Sequence, residues 1–167
     1  MNNIVEQFKE KFEIISYDFP DKLQIAFDVE ASRVHSILSY LKSDGYKQLS
    51  ILTCVDYLEE EKFELVYVLF NWDNGVHIQI RTKLDRNNPK YRSCINIFPG
   101  AEYYERDVHE FFGVEFEGNE MSYKHLYLEN WDDMPPMRKD FDPQAYSDKK
   151  YAKRDYEVLF KSVVEGE

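Results

Sequence analysis

The chain has 167 residues, enough for one compact domain of about 100 to 150 residues plus an extension, and too few for two full domains. Apolar residues make up 43% and aromatics 16%, which excludes wholesale disorder, and no apolar run approaches the ~20 residues that cross a bilayer. A net charge of −11 argues against nucleic-acid phosphates and anionic lipid as partners and in favour of a protein surface.

The opening Met1-Asn2-Asn3-Ile4-Val5-Glu6 lacks the basic-then-apolar pattern of a secretory signal, so a cytoplasmic protein is expected. Val5, Phe8 and Phe12 fall at helical spacing and predict a helix over 3–12. A hairpin follows, with strands near 13–19 and 22–29 around Pro20-Asp21 and with Leu23, Ile25, Phe27 and Val29 in alternation. Residues 30–43 return to the helical period through Ala31, Val34, Leu38 and Leu41, with Ile37 beside them and Asp44-Gly45 as the stop. Three strands are then expected, near 46–57, 62–71 and 76–83, the last two joined by a tight turn at Asp73-Asn74-Gly75. Cys54 and Cys94 lie far apart and form no Cys-x-x-Cys pair, so they read as two buried free thiols rather than metal or cluster ligands. The order helix, two strands, helix, three strands predicts an α+β fold with helices on one face of a largely antiparallel, mixed sheet.

Past the loop at Asp85-Arg86-Asn87-Asn88-Pro89 comes a helix over 101–112, with Ala101, Tyr104, Val108, Phe111 and Phe112 on one arc. Pro99-Gly100 opens it and Gly113 caps it. Glu102, Arg106 and Glu110 stand four residues apart, so the guanidinium of Arg106 is expected to pair with a carboxylate on either side. The domain reading is therefore a core over 1–113 and a strap over 114–167 that binds a partner, with room for a short terminal helix. The chain is acidic where the helix passes into the strap, ten acids against Arg106 and Lys124 over 102–133, and the strap carries Tyr123, Tyr127, Trp131, Phe141, Tyr146, Tyr151 and Tyr156. Pro135-Pro136 keeps its middle extended.

Three sharper readings compete with a plain salt-bridged surface helix. Glu105 with His109 offers a poor metal site, because one histidine and no two-histidine spacing give little affinity. The same pair in a hydrolase would need a nucleophile or binding loop, and neither a nucleophile elbow nor a phosphate or dinucleotide motif accompanies it. The third is a helix docked on another protein, as in an adaptor, with its charges meeting complementary charges across the interface and its aromatics as anchors; composition alone leaves the plain surface helix the favourite.

The stretch Glu105-Arg106-Asp107-Val108-His109-Glu110-Phe111-Phe112-Gly113-Val114 resembles the signature of the C subunit (30 kDa subunit) of respiratory NADH dehydrogenase, complex I: Glu-Arg-acid-apolar-any-acid-apolar-aromatic-Gly-apolar. Ser93 to Ala101 resembles the approach to that helix. Trp131, Pro135 and Arg138-Lys139-Asp140-Phe141 resemble the family's Trp...Pro-x-Arg-Lys-Asp-Phe ending. Where the family commonly has Gly-His-Pro, this chain has Gly118-Asn119-Glu120-Met121-Ser122. Related subunits serve membrane-bound [NiFe] hydrogenases and formate hydrogenlyases.

The resemblance implies a structural and assembly subunit with no catalytic, cofactor or metal residue of its own. It would sit on the cytoplasmic face of the membrane against the large quinone-site or [NiFe]-type subunit and the small cluster-bearing subunit. Iron-sulfur clusters, and flavin or [NiFe], are then expected in the partners. The partner-facing residues it implies are Glu105, Arg106, Asp107, Glu110, Phe111, Phe112, Gly113, Trp131, Arg138, Lys139 and Asp140.

Overall fold

In the computed structural model, residues 2–151 are described. Residues 152–167, including Tyr156 of the expected strap, lie outside them. Helix α1 (Asn2–Lys11) buries Val5 and Phe8. Its Phe8 ring stacks 4.1 Å from Phe27, and Phe12 meets Tyr40 of the next helix edge-on at 5.3 Å. Strands β1 (Ser16–Asp21) and β2 (Gln24–Asp28) form the first hairpin. Its turn is two residues later than the sequence suggests. β1 is an edge strand, so Pro20 can continue it without leaving a ladder carbonyl unpaired, and Leu23 at the turn stays exposed. Helix α2 (Val34–Ser43) buries Val34, Ile37, Leu38 and Leu41, while Ala31 falls in a preceding 3-10 turn.

Strands β3 (Gln48–Tyr57), β4 (Lys62–Phe70) and β5 (His77–Asp85) complete a five-stranded sheet of order β1-β2-β5-β4-β3. Every neighbouring pair is antiparallel except β2 with β5. The β4–β5 connection is wider than a two-residue primed turn. Asn71 and Asn74 fold it by accepting the amides of Asp73 and Val76 on their side chains, at 2.8 and 2.9 Å.

One register sets both faces of the sheet. Leu52, Cys54, Phe63, Leu65, Tyr67, Leu69, Ile78, Ile80, Ile25 and Phe27 all turn to the helices and are buried. Glu64, Gln79 and Arg81 line the opposite face, half-buried, where Arg81 pairs with Asp28 and Asp18. The fold is thus α+β, a mixed and mostly antiparallel sheet with helices on one face, as the element order implies.

The chain then adds a second, smaller unit, of which periodicity announces only the helix. Strands β6 (Lys90–Arg92) and β7 (Glu115–Glu117) pair in parallel, and helix α3 (Ala101–Phe112) runs between them in sequence. α3 packs on β3, its Phe112 ring lies 6.1 Å from Phe63 of β4, and Val114 and Phe116 join the same core. A 3-10 turn over Glu120–Tyr123, a run of turns and bends and helix α4 (Pro143–Lys150) follow; Pro135-Pro136 opens one of these turns, closed by the Arg138 amide on the Pro135 carbonyl at 3.2 Å, rather than an extended stretch. Asp142 caps α4 through the amides of Gln144 and Ala145.

Candidate functional site

Helix α3 occupies the span expected for it, and Gly113 ends it at φ 82°, the left-handed conformation that glycine adopts most cheaply. A β-carbon there would stand 3.0 Å from Nη2 of Arg138 and 3.2 Å from Cγ of Pro135, so the residue also lets the strap close over the helix end.

Glu105 is fully buried. Its carboxylate accepts from Ser93 Oγ at 2.7 Å, the Cys94 amide at 2.8 Å and Asn119 Nδ2 at 2.8 Å. Three donors from two segments, Ser93-Cys94 and Asn119, converge on one side chain, which satisfies a group that would otherwise be costly to bury. Asn119 lies in the segment that departs from the family pattern, and it binds the first residue of the signature. Burial, reinforced by the nearby Glu105 carboxylate, pushes the Cys94 thiol well up, so this sulfur is a packed thiol and not a nucleophile.

The ladder expected along Glu102, Arg106 and Glu110 does not form. Arg106 turns to the strap, donating from Nε to the Lys124 carbonyl at 3.1 Å and from Nη2 to the His125 carbonyl at 2.8 Å. Glu110 turns the same way and accepts three consecutive amides, Leu126, Tyr127 and Leu128, the shortest at 2.7 Å. The strap supplies peptide groups that outcompete a solvent-exposed pair worth only about 0.5 kcal/mol. Burial pushes the Glu110 carboxyl up, but the three amides, led by Leu128 and helped by His125, more than offset this and hold it below its ordinary value.

The far end of the strap is fastened to the sheet. Arg138 donates from Nε to the Phe112 carbonyl at 2.8 Å, stopping the helix, and its guanidinium lies 5.2 Å from the Phe63 ring centre. The Lys139 amide donates to Asp56 at 2.9 Å while its side chain stays exposed, and Asp140 accepts from Arg86 at 2.5 Å. Asp56 and Arg86 form a buried two-pronged pair at 2.8 and 3.0 Å. Burial pushes Asp56 up, yet the Arg86 guanidinium and the Lys139 amide outweigh it and hold the carboxyl below its usual range. Arg86 likewise lowers Asp140.

Trp131 donates from its indole nitrogen to the Met134 carbonyl at 2.8 Å and stacks 4.4 Å from Tyr146 of α4, with Phe141 at 5.4 Å. Phe112 is buried, and Phe111 is half-buried with its ring 6.2 Å from Tyr127. Asp107 remains half-buried, with no hydrogen bond to its carboxylate among the described residues.

Asp56, Arg86, Ser93 and Asn119 do as much here as the motif residues, and sequence reading passed over all four. For Asp56 a signal existed: it falls on the inward-facing positions of β3 after Leu52 and Cys54, where a charge demands a partner. Acid-base chemistry at His109 finds little support. Its Nδ1 donates to the Val114 carbonyl at 2.8 Å, its ring meets Tyr123 edge-on, and Glu105 and Glu110 are committed elsewhere. A cleft of about 280 Å³ lies between α3 and the strap, lined by His109, Glu110, His125, Leu128, Trp131 and Pro135 among others.

Residues 27–147 match the sequence profile of the respiratory-chain NADH dehydrogenase, 30 Kd subunit. The C subunit of the NADH-quinone oxidoreductase of Neorickettsia sennetsu is 31% identical over 128 residues, covering 76% of this chain and 68% of that protein. The C subunit of the F(420)H(2) dehydrogenase of Methanosarcina mazei is 30% identical over 145 residues, covering 83% and 90%. In the structure of the membrane-bound sulfane sulfur reductase, an archaeal respiratory membrane complex, one chain superposes with a TM-score of 0.83 at 36% identity, covering 92% of each chain. Several quinone-reductase C subunits are longer, and the chain spans 56% to 68% of their length. With the signature helix, its approach and its Arg-Lys-Asp ending all in place, the chain belongs to the 30 kDa subunit family of respiratory-chain NADH dehydrogenase, whose members are subunits of multi-subunit respiratory complexes.

Proposed function

We propose that this chain is a non-catalytic mounting subunit in the peripheral arm of a complex-I-like membrane oxidoreductase. It sits on the large quinone-site or [NiFe]-type subunit and beside the small cluster-bearing one, at the cytoplasmic face of the membrane. One observation carries the reading: the signature carboxylates Glu105 and Glu110 are saturated by this chain's own donors, three for each. A carboxylate whose oxygens are taken up by three donors is a good fastener, and the amides on Glu110 hold its carboxyl below the ordinary value, so the motif builds a rigid platform rather than an acid-base centre. Iron-sulfur clusters, and flavin or [NiFe], belong to the neighbouring subunits in this reading.

The extent of the match favours a machine of the kind whose subunit is matched almost end to end. Coverage of 90% or more of the matched chain is reached with the F(420)H(2) dehydrogenase protein and the sulfane sulfur reductase chain. The electron donor is then set by the subunits attached next to it.

The test is purification of the tagged chain from detergent-solubilised native membranes. Integral-membrane and iron-sulfur subunits in fixed ratio are the expected result, and recovery of the chain alone or with soluble proteins overturns it. Nickel in that material selects a hydrogenase-type machine, and a flavin-bearing NADH-oxidising module selects complex I.

A further inference from the structure

Tyr103, Asp107 and Phe111 lie four residues apart and therefore form one stripe along α3. On one side of the stripe Tyr104 donates its hydroxyl to the Ser50 carbonyl at 2.7 Å, and on the other Arg106 and Glu110 grip the strap. The stripe thus faces outward. Tyr103 is 60% exposed. The strap widens the surface: Glu110 holds the segment that sets Tyr127, 69% exposed, beside Phe111, and the Phe111 carbonyl accepts the amide of Met137, 58% exposed.

In this aromatic and methionine surface stands one carboxylate. Burial pushes the Asp107 carboxyl up and the negative charge of Glu110 pushes it further, both opposing the ionised form, and a cation set against the carboxylate would offset them. The nearby arginines are engaged: Arg106 serves the Lys124 and His125 carbonyls, and Arg138 serves Phe112 and the Phe63 ring. A half-buried acid with Tyr103 and Phe111 one helical turn to either side is complementary to a guanidinium, which can pair with the carboxylate while its flat faces lie on the rings.

We propose that Tyr103, Asp107, Phe111, Tyr127 and Met137 are the contact surface for the large subunit, and that an arginine of that subunit, flanked by apolar side chains, seats on Asp107. This rests on the mounting role argued above. A buried interfacial charge pair with aromatic surroundings is the pattern of a binding hot spot.

The experiment uses the tagged chain in its native membranes, as wild type and as Asp107→Asn, with Glu120→Gln and Glu129→Gln as controls on exposed acids. Asp107→Asn should lower co-purification of the large subunit by at least about tenfold, while both controls behave as wild type and the isolated variant melts where the wild type does. A photo-reactive benzoylphenylalanine at position 103 should crosslink to an arginine-bearing segment of the large subunit. Combining Asp107→Arg with an acidic substitution at that arginine should restore retention. Unchanged retention of Asp107→Asn, an equal loss in the controls, a lowered melting temperature of the isolated variant, or a crosslink to residues 152–167 or to a second copy overturns the surface. If the wild type retains the membrane subunits while any of these occurs, the mounting role stands and only this surface fails. If the wild type retains none, the mounting role itself fails.

Discussion

Leu65 and Ile80 are fixed because burying them removes apolar surface from water, whereas Leu126, Tyr127 and Leu128 are fixed because one carboxylate collects their three amides. The sheet with α1 and α2 is held by interchangeable, non-directional contacts. The strap is held at a few points, Glu110, Arg106, Arg138 and the Asp56–Arg86 pair, each of which needs correct geometry. A core of the first kind tolerates repacking and fails all at once. A strap of the second kind can detach while the sheet persists, because each fastener can be removed singly.

Substitutions should separate the two regimes. Phe27→Ala removes a fully buried ring stacked on Phe8 and should cost about 3 to 5 kcal/mol, lowering sheet and strap together in a single thermal transition of the isolated subunit. Asp56→Ala strips Arg86 of its buried partner and the Lys139 amide of its acceptor, for about 3 kcal/mol. Its mark should be uneven: hydrogen exchange should rise first at the strap residues around Lys139, and only later in β4 and β5. Gly113→Ala forces an alanine into the left-handed region against Arg138 and should cost about 1 to 2 kcal/mol, read as faster protease cleavage within the strap.

Acid should act on the strap first. Asp56, Glu110 and Asp140 titrate below the usual carboxylate range when folded. Their contribution is therefore complete above about pH 4 to 5, where unfolded carboxylates are ionised, and is lost as pH falls through the lower folded values. Limited proteolysis from pH 7 downward should open the strap first, with the far-ultraviolet signal of the sheet still intact. Simultaneous loss of both would show that the strap and the sheet are one cooperative unit.

The same contrast explains what the sequence revealed. Alternation along β4 and β5 and the helical stripe of α2 reflect apolar burial, which repeats with the backbone, so these elements could be read from residue order. Gly113 and Pro99-Gly100 likewise marked the ends of α3, since they act on local dihedral angles. Side chain to peptide contacts carry no period. Nothing in the spacing of Glu110 says that it will hold residues 126–128, or that Arg106 will leave the neighbouring acids for two carbonyls. The family resemblance picked out Glu105, Arg138 and Asp140 by identity, while their structural work became visible only with Ser93, Asn119, Asp56 and Arg86 around them. The hairpin turn at Lys22-Leu23 was misplaced because Pro20 ends a strand only where its missing donor matters, and on an edge it does not.

The parallel pairing of β6 with β7 closes residues 90–117 into a stitched loop that contains α3, with Lys90 opposite Glu115 and Arg92 opposite Glu117. Chain length inside this loop is therefore not free to drift. An inserted residue must shift the pairing, or rotate the helix by about 100° and swing Glu105 out of its seat. Growth of the chain is confined to places outside the stitch, and a reporter or affinity label intended to leave the subunit's assembly intact belongs there, for example at the exposed Asp73-Asn74 bend.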